Sequence, residues 1–393
     1  AEVTGDAPLT YEWNFGGGAS PNISTEPSTT VTLGRGGTLW ERTKLYPARL
    51  TVSNEWGSIT YPFDLGVTAH WHIELVDPDT AGASVNTIQL KFRGDGTPVI
   101  AYQAKLRPVY FSLGPKLAVK EGGEWRYMVP DEEAMLSGYR ISLALDSQGN
   151  PALAYSQYSP YNLKYAHFNG SSWSIEVVEP VRTESLSFAL GPGDLSTVVY
   201  VPLGSGTTMF ATRDGGGWDI QVLPEYLGGP SLGYAPDGRP SIAGLGYQEG
   251  ASDREIKYAH RGGTEWLIEP VAEAFASPSL AFADPTPMIA WSGIDLAVRA
   301  DSGWRVEEVA EGSSPVSLAV DPQGRPAIGH RYAYWPTVTY FDGESWQSEV
   351  IEEAQAGSEA LSTAFDPDGY VGVAYIRAPI HSSIIEPTFA YLW

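Results

Sequence analysis

A tryptophan returns seven times along this chain, each time at the head of a β-rich run. The copies are Trp71-His-Ile-Glu-Leu-Val, Trp125-Arg-Tyr-Met-Val, Trp173-Ser-Ile-Glu-Val-Val, Trp218-Asp-Ile-Gln-Val-Leu, Trp266-Leu-Ile-Glu-Pro-Val, Trp304-Arg-Val-Glu-Glu-Val and Trp346-Gln-Ser-Glu-Val-Ile. They are spaced 54, 48, 45, 48, 38 and 42 residues apart, and 47 more residues separate Trp346 from the last residue. A fixed period of this size means one supersecondary unit stacked on copies of itself. Residues 71–393 must therefore fold as seven similar units.

Each unit carries three further strand signals. The first is a small apolar run such as Ser142-Leu-Ala-Leu145, Ser279-Leu-Ala-Phe282 or Ser317-Leu-Ala-Val320. A turn follows it, as in Asp146-Ser-Gln-Gly149, Asp321-Pro-Gln-Gly324 and Asp366-Pro-Asp-Gly369: an acidic first residue, and a glycine where the backbone needs positive φ. The second strand comes at once (Val99-Ile-Ala-Tyr102, Ala152-Leu-Ala-Tyr155, Gly372-Val-Ala-Tyr375), then a variable loop, a third strand (Leu163-Lys-Tyr-Ala166, Ile256-Lys-Tyr-Ala259), and a Gly-rich return to the Trp strand.

Four short antiparallel strands, called a to d here, at a period of about 46 residues match the blade of a β-propeller. Continuous apolar character in a and b suits strands covered on both faces, and the Trp-x-Ile-x-Val alternation of d suits a half-exposed rim. The repeat opens on a d-type strand at Trp71 and ends on a c-type strand from Thr388 to Trp393. Pairing those two would complete the last blade and close the ring, removing its free edges. The expected fold is all-β: a seven-bladed β-propeller over 68–393, whose N-terminal strand closes the last blade.

Composition agrees with an all-β chain: 13 Trp, 22 Tyr, 12 Phe, 43 Gly and 30 Pro among 393 residues, with only 18% charged. There is no cysteine, which excludes disulfides, thiolate metal sites and a Cys nucleophile. Against 24 Lys+Arg stand 47 Asp+Glu, a net charge of −23, so nucleic acid and anionic membranes are poor partners. No apolar run reaches membrane-spanning length, and membrane insertion is not expected.

Residues 1–67 lack the repeat. They contain Tyr11-Glu-Trp13-Asn-Phe15-Gly-Gly-Gly18, then Ala48-Arg-Leu-Thr-Val-Ser-Asn54-Glu-Trp-Gly57 and Tyr61-Pro-Phe-Asp-Leu-Gly-Val67. This segment resembles the PKD domain, an immunoglobulin-like β-sandwich of secreted and surface proteins. That family's signature is Tyr-x-Trp-Asp-Phe-Gly-Asp-Gly, followed by an alternating strand ending in Asn-x-x-Gly. Asn14 and Gly17 stand where the pattern has acids, so a cation site does not carry over. The resemblance places the family's first strand upstream of Ala1, giving a partial sandwich. It implies a longer, multi-module, extracellular or cell-surface chain, secreted and bacterial.

The Gly-rich c–d turns, such as Asp214-Gly-Gly-Gly-Trp218 and Asp342-Gly-Glu-Ser-Trp346, look like the Asp-box (BNR-like) repeat of sialidase-type propellers, although the acid stands four rather than five residues before Trp. In that family the box is a structural turn. The a–b turns offer at most two carboxylates each, too few for an EF-type loop, so no cofactor and no metal site is expected, calcium being the one ion left open. His70-x-His72 has no visible third ligand. His167 and His260 hold one repeat position and read as a shared packing solution.

Binding sites are expected where the variable b–c loops crowd one face, because a rigid scaffold positions loop residues there. The loops of units six, seven and one carry Arg331-Tyr332-Ala-Tyr334-Trp335, Arg377-Ala-Pro-Ile-His381 and Lys105-Leu-Arg107-Pro-Val-Tyr110. Guanidinium forks suit carboxylates or sulfates, and flat rings suit sugar faces. The candidate ligand-binding residues are therefore Lys105, Arg107, Tyr110, Arg331, Tyr332, Tyr334, Trp335, Arg377 and His381, with loop packing as the alternative reading. The expected function is non-catalytic recognition or adhesion, with a glycan or a surface protein as partner. A glycan-cleaving enzyme of sialidase or lyase type is the alternative; Arg107, Arg331, Arg377, Tyr332 and Glu386 are its nominal parts, and no spacing brings them together. A structural spacer in a surface assembly is the third reading. No catalytic residue is assigned.

Overall fold

The computed structural model describes residues 7–78, 87–105, 113–132, 136–247, 254–353, 356–377 and 386–393. Among them the regular structure is all strand apart from 3-10 turns at Pro78 and Pro192–Asp194. The chain divides into two compact units, residues 1–72 with 391–393, and residues 73–390.

In the smaller unit a long hairpin, Thr43–Asn54 with Gly57–Thr68, pairs through its first strand with Thr10–Asn14, which also pairs with Ile23–Ser24. A short ladder joins Ala19–Ser20 to Thr32–Leu33. The hairpin turns sharply because the Asn54 side chain accepts the Trp56 N–H at 3.0 Å, an Asx-turn. Asn14 does the same for the Gly16 N–H at 2.9 Å. Gly18 is required where it stands: a Cβ there would lie 2.6 Å from the Tyr46 ring.

Residues 73–390 form four-stranded antiparallel meanders that follow one another along the chain, the arrangement of a β-propeller. The first sheet is Ile88–Phe92, Pro98–Lys105, Leu113–Glu121 and Glu124–Met128. The seventh is Ala356–Phe365, Val371–Arg377, Glu386–Leu392 and, as its fourth strand, Trp71–Leu75. Val76 N–H donates to the Pro387 carbonyl at 2.8 Å just past that ladder. The a strand of each sheet touches the a strand of the next, and that of the seventh touches that of the first, so the sheets stand around a central channel.

Three devices join neighbouring sheets. At the channel, a serine Oγ on one a strand accepts an N–H from the next. Ser142 serves Phe188, Ser187 serves Leu232, Ser231 serves Leu280, Ser279 serves Leu318, Ser317 serves Thr363 and Ser362 serves Leu90, all at 2.9–3.0 Å. At mid-radius, the repeating Trp stands edge-on to an aromatic ring on the c strand of the preceding sheet: Trp218 on Tyr165, Trp266 on Phe210, Trp304 on Tyr258, at centroid distances of 5.0–5.4 Å. Such pairs contribute about 0.5–1.5 kcal/mol beyond their buried area. At the rim, a d-strand glutamate meets a c-strand cation of the following sheet, as in the bidentate Glu176–Arg213 pair at 2.7 and 2.9 Å. Glu269–Arg299 and Glu74–Lys120 repeat it.

The a–b turns consume their aspartates. Asp146 Oδ1 accepts the N–H groups of Gln148 and Asn150 at 2.9 and 2.8 Å, and Gly149 takes φ +80°. Asp321 and Asp366 repeat the pattern. His167 bonds Asp146 at 3.0 Å and stacks on Tyr165, and His260 stacks on Tyr258, so both occupy the equivalent packing position.

Candidate functional site

The b–c and d–a connections share one face of the propeller. On that side the b strands place a tyrosine at equivalent positions: Tyr102, Tyr155, Tyr200 and Tyr375, all fully buried. Each phenol donates to a carboxylate that ends or follows the d strand of the preceding sheet. Tyr102 bonds Asp77 at 2.7 Å and Tyr155 bonds Asp131 at 2.8 Å, while Tyr200 and Tyr375 bond Glu179 and Glu352. A cation completes three of these clusters: Lys116 at 2.6 Å from Asp77, Lys164 at 2.7 Å from Asp131, and Arg377 at 3.3 Å from Glu352.

A tyrosine beside a carboxylate invites a catalytic reading, because a base can activate a phenol. The electrostatics run the other way. Burial first, and then the adjoining acid, push the Tyr155, Tyr200 and Tyr375 phenols well above the ordinary tyrosine range. They remain neutral hydrogen-bond donors. Recurrence in four sheets identifies the cluster as a latch between sheets, since a site for chemistry is built once and a scaffold joint is built repeatedly.

Four of the residues expected from sequence form one structural feature. Arg331, Tyr332, Tyr334 and Trp335 lie on the hairpin between Pro326–Tyr332 and Trp335–Phe341 of the sixth sheet. Tyr332 is directly opposite Trp335, and the two-residue turn places Ala333 at φ +54°, a left-handed conformation unusual for alanine. That turn pushes the rings outward: Tyr332 is 43% and Tyr334 62% exposed, with Trp335 half-buried beneath. The Arg331 Nε donates to the Ser313 hydroxyl of the adjoining a strand at 3.3 Å, which holds the guanidinium through a neutral partner.

The others are placed differently. Arg377 ends the strand Val371–Arg377 inside the Glu352 latch; the charges are close, but its Nε–H is not aimed at the carboxylate. Lys105 ends the strand Pro98–Lys105, and its side chain lies outside the described residues, as do Arg107, Tyr110 and His381. Glu386 opens the c strand Glu386–Leu392.

Sequence reasoning missed a second aromatic group on this face. Tyr158 and Tyr161, on the b–c connection of the second sheet, are both exposed and meet edge-to-face at 5.3 Å. The Arg182 guanidinium lies over the Tyr161 ring at 5.4 Å. The signal was present as Tyr158-Ser-Pro-Tyr161, directly after the b-strand tyrosine.

No family model matches the chain, and no curated protein matches it in sequence. Its fold is similar to that of several solved structures. Puromycin hydrolase is 13% identical, with 74% of this chain and 50% of that one covered and a TM-score of 0.51. YCF48 bound to D1 peptide is 15% identical over 81% of this chain and 94% of that one, with a TM-score of 0.48. The GH93 α-L-arabinofuranosidase of Fusarium graminearum is 10% identical over 80% and 95%, with a TM-score of 0.47. At these identities the likeness concerns the fold alone.

Proposed function

We propose that this chain is an extracellular or cell-surface recognition protein. In this reading each four-stranded sheet is one blade of a seven-bladed propeller, preceded by a PKD-like module, and a glycan or protein ligand docks on the b–c face. The observation that carries it is the Arg331–Trp335 hairpin. It presents two exposed tyrosines and a guanidinium held by a hydroxyl rather than a carboxylate, on a chain of net charge −23. Flat rings and a guanidinium carried on one hairpin favour a ligand with both apolar faces and negative charge, such as an anionic glycan or an acidic peptide segment. A bond-cleaving role draws no support from the latch phenols, whose shifted titration opposes deprotonation.

The test is retention on an array of glycans and surface proteins. Arg331→Ala and Tyr334→Ala are expected to lower retention at least about fivefold, an ordinary loss for an aromatic or arginine anchor, with the melting temperature unchanged. Retention equal to that of the unaltered chain would remove this face as the binding site.

A further inference from the structure

Repetition makes departures visible. At one level of the channel the a strands present Ser142, Ser187, Ser231, Ser279, Ser317 and Ser362; two residues on they present alanine or glycine, as at Ala144, Ala189 and Gly233. The strand Ile88–Phe92 departs at both levels, with Gln89 in the serine place and Lys91 in the alanine place. Six junctions carry the serine stitch described above, and the glutamine stands at the remaining one.

Both departures line the same space. Gln89, Lys91 and the serines border a cavity of about 330 Å³, and Lys91 also borders the adjoining lower section of about 570 Å³. Lys91 is thus the only Lys, Arg, His, Asp or Glu side chain lining either section among the described residues. The surrounding sheets disfavour the charged form and lower its pKa, with burial as the sole cause. Its surface nonetheless is exposed and open to the channel. Among the described residues, no carboxylate forms an ion pair with it.

The serines add donors. Five of the Oγ atoms, those of Ser187, Ser231, Ser279, Ser317 and Ser362, accept an N–H from the next sheet and keep a hydroxyl proton to donate, whereas Ser142 already gives its proton to the Phe188 carbonyl at 3.4 Å. Hydroxyl donors, a carboxamide and one ammonium without an ion-pair partner among the described residues, all lining one space, constitute an anion site, and one cation balances one charge.

We propose that the central channel binds a small carboxylate of single negative charge, with Lys91 as its counter-ion and Gln89 and the serine hydroxyls as hydrogen-bond donors. Acetate is the probe, titrated into the full chain and followed by saturation-transfer NMR, with inorganic phosphate in a parallel series. Acetate is expected to saturate one site. Lys91→Met should weaken it at least about tenfold and Lys91→Arg should retain it, as loss or preservation of a charge-assisted hydrogen bond requires. Thermal melting of each variant separates lost binding from lost folding. Acetate that does not saturate, or that binds the folded Lys91→Met chain as it binds the unaltered one, would overturn the proposal. Phosphate binding more tightly than acetate would overturn its single-charge assignment. None of these outcomes depends on the Arg331–Trp335 hairpin.

Discussion

Trp125 stands perpendicular to Phe389, ring centroids 5.7 Å apart, so a residue of the first sheet's d strand packs on the seventh sheet's c strand. This is the same edge-on contact that Trp218, Trp266 and Trp304 make within the chain order, here made between the two ends of the repeat. It shows why tryptophan recurs: the indole is wide enough to reach the preceding sheet while its own strand stays at the rim.

Closure by that contact has a measurable energy. Phe389 is buried, and Phe389→Ala is expected to cost about 3–5 kcal/mol, as large-to-small core changes do. A double-mutant cycle with Trp125→Ala should return a coupling of about 0.5–1.5 kcal/mol in urea denaturation. Zero coupling would mean that the two ends do not stabilise each other.

The serine stitches make a separate prediction. Ser279→Ala leaves the Leu318 N–H, now 2.9 Å from a hydroxyl, without its acceptor. An unsatisfied, largely buried donor costs about 1–3 kcal/mol, so unfolding free energy should fall by that amount. Gln89→Ser should do the reverse on a smaller scale, about 0.5–1 kcal/mol, by supplying the hydroxyl that the other six junctions have. An unchanged denaturation midpoint in both variants would show that these hydroxyls are structurally idle.

Much of this architecture was legible in the sequence because each device sits at a fixed offset. Asp146, Gln148 and Gly149 define a turn by their own chemistry, and Trp173-x-Ile-x-Val announces a half-buried strand. The candidate site was legible only in part. Arg331 to Trp335 is a local hairpin and could be read directly, whereas the neighbour of Arg377 is Glu352, in the preceding sheet and 25 residues away. Pairing between sheets leaves no local trace. Lys91 was discernible too, but only after Ile88-Gln-Leu-Lys-Phe92 is set beside Ile141-Ser-Leu-Ala-Leu145, where the departures stand out against the repeat.

The latches supply a third test. Lys164 shares Asp131 with Tyr155, and both the acid and the phenol are buried. Lys164→Met removes the cation and leaves the carboxylate with a neutral donor, which should destabilise the chain by about 3 kcal/mol, the usual cost of orphaning a buried charge. Tyr155→Phe keeps the ion pair and should cost only about 1–2 kcal/mol. Equal losses would contradict the assignment of the ion pair as the stronger part of the latch.

His330 takes the b-strand position where four other sheets place tyrosine, and it gives stability a distinctive pH dependence. Its side chain is buried, Nε2 meets the Thr339 hydroxyl at 2.8 Å, and Nδ1 has no hydrogen-bond partner among the described residues. Burial lowers its pKa from 6.5 to about 4. The folded state therefore holds the imidazole neutral where the unfolded chain already binds a proton. Its contribution is intact above pH 6.5, is lost progressively as pH falls toward 4, and levels off below that. A displacement of that size corresponds to about 3 kcal/mol across the window. Replacing the imidazole by a group that does not titrate there, His330→Phe, should flatten the stability curve between pH 6.5 and 4 relative to the unaltered chain, whatever its effect at neutral pH. Parallel curves for the two proteins, followed by urea denaturation at several pH values, would show that the imidazole is protonated in the folded state and that the site is more open to water than its burial implies.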